Sequence, residues 1–284
     1  MIAIVTDTCA SIPPDLVREL QIEVVPYYIH RDGETLRDVL DISHDEFYRW
    51  LPTAQRLPTT ANPGPGDYLQ AFQRVAERGA TAIVSVHMTS KGSGAYQAAR
   101  TAQEMAEARL PGVAIRVIDT LQVSMVHGYA AVEAARAAQR GASLEEVVSA
   151  AEHVAGVGCM FQVADTLRYL YMGGRIGRAK HLVGTLLNVK PIVSMEEGIV
   201  VPVGQARSMA QAYLKVAQLV AERTPTGRPI KLAITHTACP DRAQALQEAI
   251  TRRVPCTEVL ISQLSPALGV HTGPGMVGAN FFPV

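Results

Sequence analysis

The sequence predicts an α/β protein of two domains, the first built on a largely parallel sheet and the second on a mixed sheet. Three observations carry the prediction. At 284 residues the chain exceeds one average domain. Its first half alternates short β-rich runs with helical patterns long enough to cross over between parallel strands. Its second half holds two strand-like runs with Glu197 and Gly198 between them, a hairpin signal that a purely parallel sheet would lack. The change in texture places the domains at residues 1–155 and 156–284.

Element by element, residues 2–6 read as a buried strand, and Pro13, Pro14 and Asp15 open a helix that runs to residue 20. Residues 22–29 read as a second strand. Ser43 and Glu46 have capping-box spacing ahead of a short helix with Phe47 and Trp50. After a proline-rich loop, a helix spans 67–77, a strand 81–86, a helix 94–108, a strand 113–118 and a helix 123–140. Gly141 ends that helix, and Ser143 with Glu146 opens the next. Beyond the glycine-rich stretch near 175 come the hairpin strands 191–195 and 199–203 and a helix over 208–223. A strand at 230–235, a helix at 241–253 and a strand at 258–264 follow.

Composition removes several function classes. Lys plus Arg and Asp plus Glu each total 26, a net charge of zero, where a general nucleic-acid binder carries a basic excess. Aromatic residues at 5% are too few for a base-stacking platform. The start, MIAIVTDTC, lacks the basic segment of a signal peptide, and no apolar run approaches the roughly 18 residues that span a bilayer. Cys9, Cys159, Cys239 and Cys256 are far apart with no C-x-x-C pair, so reduced thiols in a cytoplasmic protein are expected. His30, His44, His87, His127, His153, His181 and His236 show no metal-ligand spacing, so no metal site or cofactor is expected.

Four segments invite a ligand. Ser90-Lys91-Gly92-Ser93-Gly94 lies between a strand and a helix, where free N–H groups and hydroxyls make an anion seat at the carboxyl ends of parallel strands. Gln97 replaces the last glycine of a dinucleotide fingerprint, so no nucleotide is implied. Pro58-Thr59-Thr60-Ala61-Asn62-Pro63 is a stiff loop presenting two hydroxyls. Met172-Gly173-Gly174-Arg175-Ile176-Gly177 exposes an arginine between glycines, and Arg178, Lys180 and His181 add positive charge. The tail places His271 among glycines and Pro274, a backbone shaped for more than packing. Asp7, at the end of the first strand, either faces the cleft or caps the turn that follows.

The order of these segments is more specific than any one of them. TDT at 6–8, PTTANP at 58–63, SKGSGAYQAA at 90–99, DTLRYLYMGGRI at 165–176, KPIVSMEEGIVVPVGQAR at 190–207 and HTGPGMVGANFF at 271–282 resemble the DegV family along essentially the whole chain. The resemblance implies a long-chain fatty acid, such as palmitate, stearate or oleate, buried between the domains, with no catalysis by this chain. It implies that Thr60, Ser93 and Gly94 hold the carboxylate, and that Arg207 and His271 form the more polar far side of the same head-group pocket. Arg175 is implied to meet a fatty-acid kinase rather than the lipid. Ala61-Asn62 stands where family members often have Ser-Gln, and Ala95 where they often have Thr; both departures bear on head-group hydrogen bonding. The alternative is the substrate-binding subunit of a dihydroxyacetone-kinase-like enzyme, with His271 or His236 as a covalent ketone site. A nucleotide-binding G-x-x-x-x-G-K-[ST] loop is missing from the sequence.

Overall fold

Residues 1–182 and 189–284 are described by the structure, a computed structural model. From the amino end, β1 (Ile2–Asp7) leads through a 3-10 turn at Thr8–Ala10 to α1 (Pro14–Glu19) and β2 (Glu23–Val25). A tight hairpin of β3 (Tyr28–Arg31) and β4 (Glu34–Arg37) precedes α2 (His44–Trp50), and β5 (Thr59–Ala61) returns to pair with β3. Then come α3 (Pro65–Glu77), β6 (Ala82–His87), α4 (Ala95–Arg109), β7 (Ala114–Asp119), α5 (Ser124–Gln139) and α6 (Leu144–Val157). The second half opens with β8 (Cys159–Val163), α7 (Arg168–Met172), β9 (Lys190–Glu196) and β10 (Ile199–Ala206). It closes with α8 (Met209–Arg223), β11 (Ile230–His236), α9 (Pro240–Thr251), β12 (Cys256–Gln263), α10 (Pro266–Thr272) and β13 (Val277–Pro283).

The first sheet is parallel, in the order β2-β1-β6-β7. The second is mixed, β10-β9-β8-β13-β11-β12, with only β11 and β12 running parallel. Between them lies a layer made mainly of α5 and α6. Tyr129 of α5 meets Phe282 of β13 edge-on, with ring centroids 5.2 Å apart, and both belong to one buried cluster with Val84 and Ala233. Because α5 is wrapped on all sides, it is rich in small buried residues (Ala130, Ala131, Ala134 and Ala135). On their outer faces, the parallel sheet carries α3 and α4, and the mixed sheet carries α8 and α9.

Local chemistry explains much of this. Ser143 and Glu146 make the full reciprocal cap of α6, whereas Ser43 accepts from the Glu46 N–H without reciprocation. Glu197 and Gly198, with φ of +49° and +78°, form the hairpin turn whose two central residues must be left-handed. One expectation changes. The single strand at 22–29 is split, because Pro26 offers no N–H to a ladder; β2 stays in the parallel sheet while β3 starts a separate three-stranded sheet, β4-β3-β5. The glycine-rich tail, for which the sequence predicts no element, ends in a strand. Gly273 and Gly275 turn the chain at φ of +76° and +77°, and β13 then enters the middle of the mixed sheet between β8 and β11. Gly278 is required there, since a Cβ would sit 2.7 Å from Gln162 Cγ. Among the described residues no helix is long and apolar enough to cross a membrane.

Candidate functional site

In the parallel sheet, β1 connects outward to β2 while β6 lies on its other side, so the carboxyl ends of β1 and β6 form a switch point. A cavity of about 370 Å³ opens there, walled on the far side by β8, β9, β10 and α10. Its apolar lining comes from both halves, including Met88, Val123, Met160, Leu170, Val193, Met195, Ile199 and Leu268. Its polar residues include Tyr27, Thr60, Asn62, Ser93, Arg175 and His271. Across the mouth, the Thr89 hydroxyl donates to Gly198 O at 2.8 Å, tying the β6–α4 loop to the β9–β10 turn.

Two hydrogen-bonded pairs organise the polar groups. Thr60 Oγ1 lies 2.9 Å from His271 Nε2. The other ring nitrogen, Nδ1, is buried without a partner, and a buried orphan acceptor costs less than an orphan N–H donor. The neutral ring therefore carries its proton on Nε2 and donates to Thr60, whose own O–H is left for a ligand. Burial, reinforced by the Arg175 charge, pushes the His271 pKa down to about 4, so the ring is uncharged at neutral pH. In the second pair, Tyr27 OH lies 2.7 Å from Ser93 Oγ, and the same oxygen accepts the Ala95 N–H at 3.2 Å. Burial holds the Tyr27 phenol well above its usual range, so it keeps its proton and can donate it to Ser93 Oγ. With Tyr27 as donor, both Ser93 lone pairs are taken and its O–H is free for a ligand. The Ser93 N–H is bound by Thr89 O at 3.2 Å, leaving the Gly94 N–H beside it without a protein acceptor among the described residues. Gly94 allows the tight approach of Asn62, whose Oδ1 would be 3.0 Å from any Cβ there.

Thus the fold brings Thr60, Ser93, Gly94 and His271 together from β5, the β6–α4 loop and α10. Arg207 is not with them. It is exposed just past the far end of β10, its N–H bonded to Gln211 Oε1, and it is not part of the cavity wall. The strand that carries Ile199 to the cavity carries residue 207 away from it, which sets Arg207 apart from Thr60, Ser93, Gly94 and His271. Arg175 is exposed, as expected of its glycine-bracketed loop, yet it also borders the cavity. Its guanidinium donates to Gly92 O at 3.3 Å and Gly173 O at 2.8 Å. Asp7 is fully buried and caps the following turn by accepting the Cys9 N–H. His236 accepts the Cys239 N–H and lies outside the cavity. Sequence reasoning missed Tyr27, which meets Ser93, and Gln162, which lines the cavity, because a tyrosine after Pro26 and a glutamine in a strand carry no signal by themselves.

Family comparison agrees with this architecture over the full length. A model of the family described as an uncharacterised protein, DegV family, matches residues 1–284. The chain belongs to the DegV family. The DegV domain-containing protein SCO2569 of Streptomyces coelicolor is 37% identical, over 98% of this chain and 96% of the relative. A DegV-family structure from Thermus thermophilus, described for its fatty-acid binding, superposes with a TM-score of 0.91 at 31% identity, over 100% of this chain and 99% of the other. DegV of Bacillus subtilis, described as a fatty acid binding protein, gives 0.88 at 26% identity, over 100% and 99%.

Proposed function

We propose that this DegV-family chain binds one long-chain fatty acid, its carboxylate held by the Thr60 and Ser93 hydroxyls and the Gly94 N–H, with its tail in the interdomain cavity. The observation that carries the proposal is the pair of supported hydroxyls, Thr60 held by His271 and Ser93 by Tyr27 and the Ala95 N–H, at a cavity walled mainly by Met, Val, Leu and Ile. Three neutral donors suit an oxyanion, and His271 and Tyr27 act behind them by fixing the hydroxyls. Arg207 has no part in this set.

Burying about 15 methylenes at roughly 0.8 kcal/mol each offers about 12 kcal/mol before entropy losses. Each donor to the carboxylate adds about 1.5–3 kcal/mol at best. The tail therefore sets affinity and the donors set orientation. Protein purified and extracted with organic solvent is expected to release about one acyl chain per molecule by mass spectrometry. A preparation free of lipid and unable to bind a fluorescent fatty acid would defeat the proposal. Ser93→Ala and Thr60→Ala are each expected to weaken binding by roughly 1–2 kcal/mol, about 5- to 30-fold. Calorimetry on delipidated protein tests this, and wild-type affinity in both variants would put the carboxylate elsewhere.

The proposal extends to presentation of the acid to a fatty-acid kinase, with Arg175 at the cavity rim as the docking contact. An exposed guanidinium is suited to a bidentate bond with a partner's carboxylate or a phosphate. Arg175→Ala is expected to keep its lipid while losing phosphorylation of the bound acid, both measured on one preparation. Loss of lipid with normal turnover per occupied protein would make Arg175 a pocket residue instead.

A further inference from the structure

On the far wall of the cavity, β8, β9 and β10 supply Met160, Val193, Met195, Ile199 and Val200, and one polar side chain among the described residues, Gln162. Gln162 is only 6% exposed. Its position is fixed from both sides: on β9 it pairs with Val193, and on β13 with Gly278. Residues two apart on a strand share a face, so Met160 and Gln162 stand together on the cavity wall. The glycine opposite makes room for the longer side chain. A Cβ at Gly278 would come within 2.7 Å of Gln162 Cγ, so the glutamine stem lies over the glycine.

Buried polar side chains nearly always find hydrogen-bond partners, and others around this cavity do. Thr89 Oγ1 donates to Gly198 O at 2.8 Å, Asn62 Nδ2 to Pro63 O at 2.8 Å and Thr272 Oγ1 to Leu268 O at 3.2 Å. The described residues offer no such partner to the Gln162 amide, which has an acceptor oxygen and a donor nitrogen. An occupant of the cavity is what can satisfy them. The carboxylate is already met by Thr60, Ser93 and Gly94 on β5 and the β6–α4 loop, whereas Gln162 stands among the apolar side chains of the opposite sheet. An unsubstituted tail laid against Gln162 strips water from the amide and returns no hydrogen bond, which weakens binding.

We propose that the cavity takes a fatty acid bearing a hydroxyl along its chain, and that Gln162 is the specificity-determining residue that recognises this hydroxyl. A hydroxyl both donates and accepts, as a primary amide does. A site built to hydrogen-bond a substrate hydroxyl rejects the analogue lacking it far better than an apolar pocket rejects one methylene more or less. This role rests on the fatty-acid reading and narrows its substrate class.

The test is competition against a fluorescent fatty acid on delipidated protein, using stearate and stearates that carry one hydroxyl at successive chain positions. One position, or two adjacent ones, is expected to compete about tenfold better than stearate. Gln162→Met keeps an unbranched stem over Gly278 and removes only the amide. That variant, with unchanged circular dichroism, is expected to lose the hydroxyl preference and to bind stearate about three- to tenfold more tightly than wild type. Stearate competing as well as every hydroxylated isomer on the wild type overturns the inference, and that result needs no variant. A hydroxyl preference that survives in Gln162→Met overturns it too, as does weaker stearate binding by that variant, which would assign the amide to the carboxylate. If neither the fluorescent acid nor any competitor binds the wild type, the fatty-acid reading itself fails and this role fails with it.

Discussion

Met195→Trp is expected to purify nearly free of fatty acid and to bind an added one at least about a hundredfold more weakly than wild type. Met195 lies near the end of β9, half-buried, with its side chain on the wall of the 370 Å³ cavity. An unbranched thioether adapts to whatever lies beside it, whereas an indole at the same point claims space that a tail needs. Excluding four methylenes removes roughly 3 kcal/mol at 0.8 kcal/mol each, more than a hundredfold in affinity. The fold should survive, because position 195 is near the end of β9, two residues before the Glu197–Gly198 turn. Fluorescent fatty-acid titration of material with unchanged circular dichroism is the measurement. Wild-type affinity would show that the tail does not occupy this cavity.

Gly128→Ala is expected to destabilise the protein by about 2–3 kcal/mol, against the direction that helix propensity alone predicts. Gly128 lies inside α5, where alanine would ordinarily gain about 1 kcal/mol. A Cβ there would be 2.5 Å from Ala10 O, 2.9 Å from Met125 Sδ and 3.1 Å from Ile12 Cγ1. The first is a backbone atom of the turn after β1, so relief requires moving the turn that carries Cys9 to the cavity. A lower urea midpoint with an unchanged slope is the expected signature, accompanied by weaker lipid binding. A variant as stable as wild type would mean that α5 and this turn do not pack so closely.

The two predictions differ in how far they could be read in advance. That α5 is a helix follows from its alanine-rich pattern, and its end at Gly141 from local chemistry. That residue 128 must be glycine follows only from the turn lying against it. Likewise, Thr60, Ser93 and His271 stood out in sequence because prolines and glycines mark shaped backbone around them. Tyr27, which orients Ser93 from 66 residues away, bore no such mark. Arg207 was placed in the pocket because it ends a segment that resembles the family, but strand geometry carries the end of that segment away from the cavity.

By itself the sequence determined the parallel first half, the β9–β10 hairpin, the helix caps and the family. Each depends on contacts a few residues apart or on an ordered set of motifs, and short-range rules are written in adjacent residues. Only the tertiary structure decided that the final glycine-rich segment is a central strand and that the residues at 22–29 serve two sheets. It also decided which apolar residues wall a cavity and which fill a core. Met160 and Phe161 are neighbours on one strand, both buried, yet only Met160 faces the cavity. Both positions reward an apolar side chain for leaving water, and that reward does not depend on whether protein or ligand replaces it.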